Sequence, residues 1–317
     1  MNTGIFYDPL CLKHETGLHP ESADRLAWIV AEFQRTGLWD RCLHPACPDA
    51  TVEDLCLVHD PAYVRRVREM ADAGGGMLDP ETIVSPASYA AAARAAGAPL
   101  AAVQAVLRGE MRNAFCAVRP PGHHAMPAAG MGFCIFNNVA IAAKYLRERL
   151  GVGRVAIFDW DAHHGNGTQE IFHRDGSVFV ASLHLWPHWP GTGARCETGE
   201  GPGLGCIVNR PIPHSATPEE YLDVARRVVD GPMWEFRPDF VLISAGFDGH
   251  RDDPIAPMGL EPAHFRQMTD MITALAGQFC GGRVVSVLEG GYHHIGLPQC
   301  AAAHLEGLTE DAKEAQR

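Results

Sequence analysis

The sequence lacks the features of a nucleic-acid-binding or membrane protein. Its 26 lysines and arginines are outnumbered by 38 aspartates and glutamates, giving a formal net charge of −12, whereas phosphate backbones attract cationic surfaces. No stretch approaches the roughly 18 to 20 apolar residues of a membrane span, and residues 1–15 contain no basic segment followed by an apolar one. We therefore expect no nucleic-acid partner, no membrane partner and a cytoplasmic location.

Other absences narrow the class further. The ten cysteines are scattered without a Cys-x-x-Cys pair, so we expect reduced thiols rather than a disulfide framework. The glycine run at residues 74–76 is not followed by Lys-Ser/Thr, so it is expected to be a flexible surface loop rather than a phosphate-binding loop. Because the chain shows no linker and no internal repeat, residues 1–317 are expected to form one domain.

Strand and helix patterns alternate along the chain. Short apolar runs rich in Val, Ile and Phe are typical of buried parallel strands, and they lie at residues 114–118, 154–158, 178–182, 240–244 and 284–288. Helical patterns lie at residues 85–107, 137–150, 218–236 and 261–279. The alternation predicts the α/β class, a single three-layer α/β/α domain around a central, mostly parallel sheet.

The segment at residues 159–167 carries the clearest chemical signal. Asp159, Asp161 and His163 follow an apolar run, and residues two apart on an extended chain face the same side. A carboxylate and an imidazole on one face suit zinc, and less selectively Fe(II), Co(II) or Mn(II). The alternative is a buried aspartate that caps a helix beside packed histidines.

Polar clusters follow or end all five predicted strands. The carboxyl ends of parallel strands lie at the same edge of a sheet, where open α/β folds bind their ligands. We therefore expect one site built from residues 119–124, Asp161 with His163, residues 182–184, Asp248, and residues 289–292.

Six ordered motifs span most of the chain: RPPGHHA at 119–125, GFCIFNNVA at 132–140, DWDAHHGNGTQ at 159–169, SLH and PGTG within 182–193, SAGFDGHRDDP at 244–254, and LEGGY at 288–292. Together they resemble the class II-type histone deacetylases and their bacterial relatives, including acetylpolyamine amidohydrolases. The resemblance implies the arginase–deacetylase fold, zinc-dependent amide hydrolysis and an acyl-lysine-like substrate.

The resemblance also implies roles for individual residues. Asp161, His163 and Asp248 match the ligands of one zinc ion per chain, with a fourth position left for water. His123 and His124 match the tandem catalytic histidines, of which His124 would exchange protons with the water and the leaving amine.

Three more residues complete the expected catalytic set. Asp159 matches the partner of His123, Asn166 stands where some relatives have an acid facing His124, and Tyr292 matches the donor to the tetrahedral oxyanion. A neutral partner such as Asn166 should leave His124 less basic than an aspartate would.

Structural potassium sites are also implied by the resemblance alone. The first would use Asp159, Ser182 and the main-chain carbonyls of Asp161, His163 and Leu183. The second would use carbonyls near Phe172, Asp175 and Val178.

The expected substrate-binding residues are Gly132, Phe133, Trp189, Ile255, Asp79 and Gly290. Trp189 stands where relatives usually carry Phe or Tyr, and Ile255 occupies a gate position where some polyamine-specific relatives have Glu. Asp79 matches a rim carboxylate, although a turn role before Pro80 is an equal alternative.

The expected partner is an acylated lysine side chain of a protein or peptide, with an acetylated polyamine as the runner-up; an oligomer is left open. Two other classes are weighed against this hydrolase. A two-metal ureohydrolase would need extra carboxylates where Asn166 and Phe247 stand, and a silent acyl-lysine reader would not need Tyr292.

Overall fold

A seven-stranded parallel sheet forms the centre of the fold. The structure is a computed structural model that describes residues 2–310, so Met1 and residues 311–317 of the predicted domain lie outside it. The sheet order is β1-β4-β9-β8-β5-β6-β7, and β2 pairs with β3 in a separate antiparallel hairpin. The strands are β1 Thr3–Phe6, β2 Gly76–Met77, β3 Ile83–Val84, β4 Asn113–Cys116, β5 Val155–Asp159, β6 Val178–Trp186, β7 Ile207–Pro213, β8 Phe240–Ala245 and β9 Val284–Leu288.

Helices cover both faces of the sheet. One group contains α4 and α5, and the other contains α9 and α10 with α1 packed on α10. Both groups pack on β4 and β8 but, among the described residues, do not pack extensively on each other, so they lie on opposite faces, which confirms the predicted three layers. The helices are α1 Asp24–Arg35, α2 Val52–Leu55, α3 Pro61–Asp72, α4 Ser88–Leu107, α5 Asn138–Glu148, α6 Asn166–Phe172, α7 Pro218–Val228, α8 Trp234–Phe236, α9 Pro262–Phe279 and α10 Gly296–Thr309.

All five predicted strands are present, but β6 is four residues longer than expected. Its extension from Leu183 to Trp186 pairs with β7, a strand that the apolar pattern did not indicate. Ser182 and His184 therefore lie inside β6 rather than at its end.

The two unpredicted strands of the large sheet, β1 and β7, are its edges. Strand β7 contains Asn209, Arg210 and Pro211, residues that an edge strand tolerates because one side of it has no ladder partner. The expected loop at residues 74–76 is corrected in part, since Gly76 pairs with Val84 in the β2–β3 hairpin.

The expectation that no stretch is long and apolar enough to span a membrane is wrong for helix α4. By length and composition it could cross a membrane, yet 72% of its apolar window is buried inside the fold. Its Gly97 allows the chain at Pro48 to approach, because a Cβ there would lie 2.0 Å from the Pro48 carbonyl oxygen. We interpret α4 as a core helix, the common source of such a signal.

The predicted helix at residues 218–236 is interrupted. Helix α7 ends at Val228, and a π-type segment follows in which Gly231 has non-helical dihedrals of φ −109° and ψ −106°. Pro232 explains the break, because proline has no N–H for the helical ladder and restricts the preceding residue.

A buried ion-pair network ties the N-terminal segment to the end of β4. Arg119 donates from Nε and Nη2 to the two carboxylate oxygens of Glu21, both at 2.7 Å, and Arg25 Nη1 donates to Glu21 Oε1 at 3.0 Å. All three side chains are fully buried. Burial disfavours the Glu21 carboxylate, but Arg119 outweighs it and lowers the pKa of Glu21 to about 2.

Glu21→Gln should lower the free energy of unfolding by about 3 to 5 kcal/mol, because it leaves buried arginine charge without a counter-ion. Since the folded pKa of Glu21 is depressed, its contribution should be present above pH 4.5 and lost as the pH falls toward 2. Urea titrations would measure both effects. Glu32→Gln, which removes a surface pair with Arg35, should cost under about 1 kcal/mol. Equal losses in the two variants would contradict this account.

Candidate metal centre and active site

Three metal-ligand side chains meet beyond the ends of β5 and β8. These strands pair with Asp159 opposite Ser244, so the loops that follow them are adjacent. His163 Nδ1 lies 2.8 Å from Asp248 Oδ2 and 3.1 Å from Asp161 Oδ1. One ligand atom from each of the three lies within 4.8 Å of the others.

Backbone donors hold the two carboxylates in place. Ala162 N–H donates to Asp248 Oδ1, and Gly290 N–H donates to Asp161 Oδ2, each at 2.8 Å. A Cβ at Gly290 would lie 2.6 Å from Asp161 Oδ2, so this position requires glycine. Gly290 thus lies beneath the carboxylates rather than among the residues that line the substrate pocket.

The donor set fits a divalent ion such as zinc. Burial and the charge of Asp161 raise the pKa of Asp248 to about 7, which reflects the cost of two buried carboxylates close together. A dication would remove that cost, and two carboxylates with one imidazole are ligands that zinc accepts.

The tandem histidines have different partners. His123 Nδ1 lies 2.9 Å from Asp159 Oδ2, whereas His124 Nδ1 lies 2.7 Å from Asn166 Oδ1. The two rings are adjacent, with centroids 3.9 Å apart.

These partners separate the protonation states of the two rings. Burial disfavours the charged form of His123, but the carboxylates of Asp159 and Asp161 outweigh it and raise its pKa. Burial and the neighbouring His123 lower the pKa of His124 well below its usual value. The electrostatics of the site therefore favour the charged form of His123 and the neutral form of His124.

Tyr292 is held from three sides. Its backbone N–H donates to Asp253 Oδ2 at 2.8 Å. The Arg25 guanidinium lies 4.9 Å from the Tyr292 ring centroid, and the Phe133 ring meets the Tyr292 ring edge-on with centroids 5.9 Å apart. Burial raises the pKa of its phenol, which keeps the hydroxyl a hydrogen-bond donor at neutral pH.

A pocket of about 340 Å³ opens above these groups. It contains four of the six expected substrate-binding residues, as well as His124 and Tyr292 of the expected catalytic set. Its lining is Pro20, Glu81, His124, Gly132, Phe133, His163, His188, Trp189, Ile255 and Tyr292.

Trp189 and His188 shape the inner part of this pocket. The Trp189 ring meets the His124 ring edge-on, with ring centroids 4.7 Å apart. The ring centroids of His188 and His163 are 5.1 Å apart. A Cβ at Gly132 would lie 2.4 Å from the Trp189 ring, so glycine makes room for the larger aromatic side chain.

Asp79 lies behind the rim. Its Oδ1 accepts from the N–H groups of Glu81 and Thr82 at 3.0 and 2.6 Å, and its Oδ2 accepts from Gly132 N–H at 3.3 Å. These bonds favour the turn role that the sequence left open. Glu81, which the sequence analysis missed, lines the pocket instead.

The residues of the expected potassium sites are only partly defined by contacts. Ser182 Oγ lies 2.9 Å from His184 Nδ1, and the Leu183 carbonyl accepts from the Tyr221 hydroxyl at 3.4 Å. In the second set, the Phe172 carbonyl accepts from Asp175 N–H at 3.0 Å in the turn that precedes Val178. Both potassium sites stay predictions.

Glu289 is a buried residue whose role the sequence analysis did not assign. Its Oε2 accepts from the N–H groups of Gly122 and His123 at 2.7 and 3.1 Å, and its Oε1 accepts from the Ser244 hydroxyl at 3.0 Å. It therefore fixes the loop that carries the tandem histidines. An acid within the LEGGY motif was the available signal.

A second group of possible metal ligands lies outside the pocket, but its nitrogens are already used. His250, Asp252 and His293 approach closely. However, His250 Nδ1 accepts from Asp252 N–H at 3.2 Å, and His293 Nδ1 accepts from Gly296 N–H at 3.0 Å. Each neutral ring then carries its proton on Nε2, which leaves no lone pair for an ion.

Comparisons with known proteins agree with this geometry. Residues 19–308 match the histone deacetylase domain family. A probable deacetylase of Archaeoglobus fulgidus is 43% identical over 297 residues, covering 92% of this chain and 82% of that protein. The histone deacetylase-like amidohydrolase of Pseudomonas aeruginosa is 38% identical over 328 residues, covering 97% and 86%.

More distant proteins share the same domain. Human histone deacetylase 9 is 36% identical over 356 residues, which cover 98% of this chain but 35% of the human protein. The crystal structure of the HDA15 HD domain superimposes with a TM-score of 0.91 at 37% identity, covering 98% of this chain and 89% of that one.

The α/β fold and the buried Asp-His-Asp set define a hydrolase of the deacetylase or amidohydrolase class. The chain belongs to the histone deacetylase family.

Asn166→Asp should move the acidic limb of the kcat/KM profile to higher pH by about one pH unit, because a negative charge then faces His124 Nδ1 and raises its pKa. The family resemblance assigns His124 as the base, and a base must be neutral to take a proton, so a raised pKa is expected to remove activity at the acidic end. The lowered pKa of wild-type His124 predicts activity below pH 6.5. An unchanged acidic limb at unchanged metal content would contradict the pairing.

Proposed function

We propose that this protein is a zinc-dependent deacylase that hydrolyses the side-chain amide of acyl-lysine and releases a carboxylate and a free amine. The observation that carries the proposal is the placement of the Asp161, His163 and Asp248 donors within 4.8 Å of one another, at the base of the pocket that His124 and Tyr292 line. The pocket walls are largely aromatic, which suits the aliphatic stem of an acylated lysine.

The three donors would hold one zinc ion per chain. A bound zinc ion would supply the Lewis acidity that polarises the amide carbonyl and lowers the pKa of an attacking water toward about 7. The backbone donors at Ala162 and Gly290 fix the two carboxylates before any ion binds.

His124 is the proposed general base and acid. With Nδ1 engaged by Asn166, Nε2 is the nitrogen left to take a proton from the water and return one to the leaving amine. Burial keeps His124 neutral, as a base must be. Cationic His123, held by Asp159, supplies positive charge next to the reacting groups.

Tyr292 is the proposed donor to the oxygen that gains negative charge in the transition state. Its hydroxyl stays protonated because burial raises its pKa. A donor of this kind is worth about 3 kcal/mol.

We also propose the two structural potassium sites and the cytoplasmic location. Support for the location is that all ten cysteines are free thiols among the described residues, as is usual in reducing compartments. The oligomeric state stays open.

Acetylpolyamine hydrolysis is a second candidate, favoured by Glu81. Ile255 in the gate position offers no charge to a distal ammonium, but Glu81, an exposed acidic residue, lines the same pocket. An unpaired ammonium at an apolar gate would cost a few kcal/mol, about 1 to 3, and Glu81 could reduce this cost.

The other two classes lack support. Where a ureohydrolase would need further carboxylates, Phe247 is fully buried and Asn166 is bonded to His124. A silent acyl-lysine reader would not need Tyr292. A turnover assay distinguishes such a reader from an active hydrolase.

Tyr292→Phe should lower kcat by roughly 100-fold while retaining metal, because only the oxyanion donor is removed. Asp248→Ala should instead lose most of its zinc, since two ligands seldom hold it against water. Elemental analysis and turnover of acetyl-lysine peptides measure both. Near-normal turnover in Tyr292→Phe would overturn the oxyanion role. Two transition-metal ions per active chain would move the assignment to the ureohydrolase branch.

Wild-type protein should show a higher kcat/KM for acyl-lysine peptides than for N-acetylputrescine or N-acetylspermidine, and Ile255→Glu should shift the ratio toward the polyamines. Glu81→Gln should lower activity on the cationic substrates and leave a neutral alkyl acetamide unaffected, with Glu53→Gln as a remote surface control. A wild-type preference for polyamines that disappears in Glu81→Gln would establish the second candidate instead.

A further inference from the structure

The Asn166 side chain has an asymmetric environment. Its Oδ1 faces His124 Nδ1 at 2.7 Å. Its Nδ2 group faces two thioether sulfurs, those of Met126 and Met131, each at 3.4 Å. All four side chains belong to or border the site, yet the proposed chemistry gives the methionines no part.

Two tight turns of the loop after the tandem histidines hold the methionines. Met126 N–H donates to the Ala129 carbonyl at 2.8 Å, and Cys134 N–H donates to the Met131 carbonyl at 3.0 Å. These bonds fix the main chain at both methionines, whose sulfurs each lie 3.4 Å from Asn166 Nδ2. Met126, Met131 and Asn166 are all partly buried, so water has restricted access to replace either sulfur.

The orientation of the amide decides which nitrogen of His124 carries the proton. A thioether sulfur only accepts hydrogen bonds. If the Asn166 amide were reversed, its oxygen would face two acceptors, and its NH₂ group would require the lone pair of His124 Nδ1. His124 would then carry its proton on Nε2 and could not take a proton from water on the pocket side.

We propose that Met126 and Met131 are positioning residues that select the tautomer of His124 through the orientation of the Asn166 amide. Each sulfur accepts one of the two amide hydrogens, which leaves the amide oxygen for His124 Nδ1–H. The inference rests on the proposed role of His124 as the base, and it assigns a function to two side chains that are not among the pocket-lining residues.

The variant Asn166→Asp distinguishes a tautomer-selecting role of the two methionines from a merely structural one. Both oxygens of an aspartate accept hydrogen bonds, so the His124 Nδ1–H tautomer is favoured whichever oxygen faces the ring. The sulfurs should therefore matter in the wild type and cease to matter in Asn166→Asp. A merely structural role of the methionines would lower activity in both backgrounds.

The experiment compares zinc-loaded wild type, Met126→Leu, Met131→Leu and the double methionine variant, each with and without the additional substitution Asn166→Asp. Leucine keeps the volume of methionine but has no acceptor. With Asn166 present, the double methionine variant should lose about tenfold in kcat, part of the contribution of a general base, with KM changed less than about twofold. In the Asn166→Asp background the same substitutions should cost nothing. Met271→Leu, at a partly buried methionine of α9, is the matched control.

The tautomer itself provides a readout that does not depend on turnover. In ¹⁵N-histidine spectra, with the His124 signal assigned by its absence in His124→Gln, the wild type should show a protonated Nδ1, and the double methionine variant should show a mixture of tautomers. Unchanged kcat with an unchanged tautomer would overturn the proposal, as would equal losses in the two backgrounds. If the double variant does not fold, the single variants make the same test. Absence of amide hydrolysis in the wild type would instead refute the proposed function, while the tautomer measurement would still test the role of the sulfurs.

Discussion

The rest of the site depends on two buried carboxylates held close together. Asp161 and Asp248 both contact His163 Nδ1, at 3.1 and 2.8 Å, at the end of a sheet that excludes water. Burial and the charge of Asp161 raise the pKa of Asp248 to about 7, so the second carboxylate is costly to ionise without further positive charge. Backbone N–H groups maintain the arrangement, and a divalent ion would relieve this cost. The two buried carboxylates therefore favour the binding of a cation at the base of the pocket, and a divalent metal ion would meet this condition.

The same carboxylates set the properties of the neighbouring imidazoles. His123 is drawn to the cationic form by Asp159 and Asp161, and the resulting charge helps burial keep His124 neutral. The environment thus favours different protonation states for two adjacent residues of the same type, because His123 faces a carboxylate whereas His124 is buried beside His123 and faces no carboxylate at Nδ1. Environments that separate the pKa values of paired groups are a general mark of acid–base sites.

Second-layer contacts decide how accurately these groups are held. Glu289 binds the backbone of the histidine loop, and Asp253 binds the backbone at Tyr292 and at Ile255. One buried aspartate therefore connects the proposed oxyanion donor with the gate of the pocket. Because neither Glu289 nor Asp253 is among the pocket-lining residues, their effects should be found in the geometry of the groups they hold rather than in affinity.

The sequence by itself determined the features that follow from local spacing: buried strands with continuous apolar runs, and candidate metal ligands such as Asp161 and His163 beyond the end of one strand. It did not reveal the edge strands β1 and β7, whose short or polar composition carries little periodic signal. Only the tertiary structure placed Glu81 in the pocket, turned Asp79 toward the backbone and put two methionine sulfurs against Asn166. These contacts join segments far apart in the chain, and their geometry depends on how loops pack on the sheet, which no pattern of residue types along a single segment encodes.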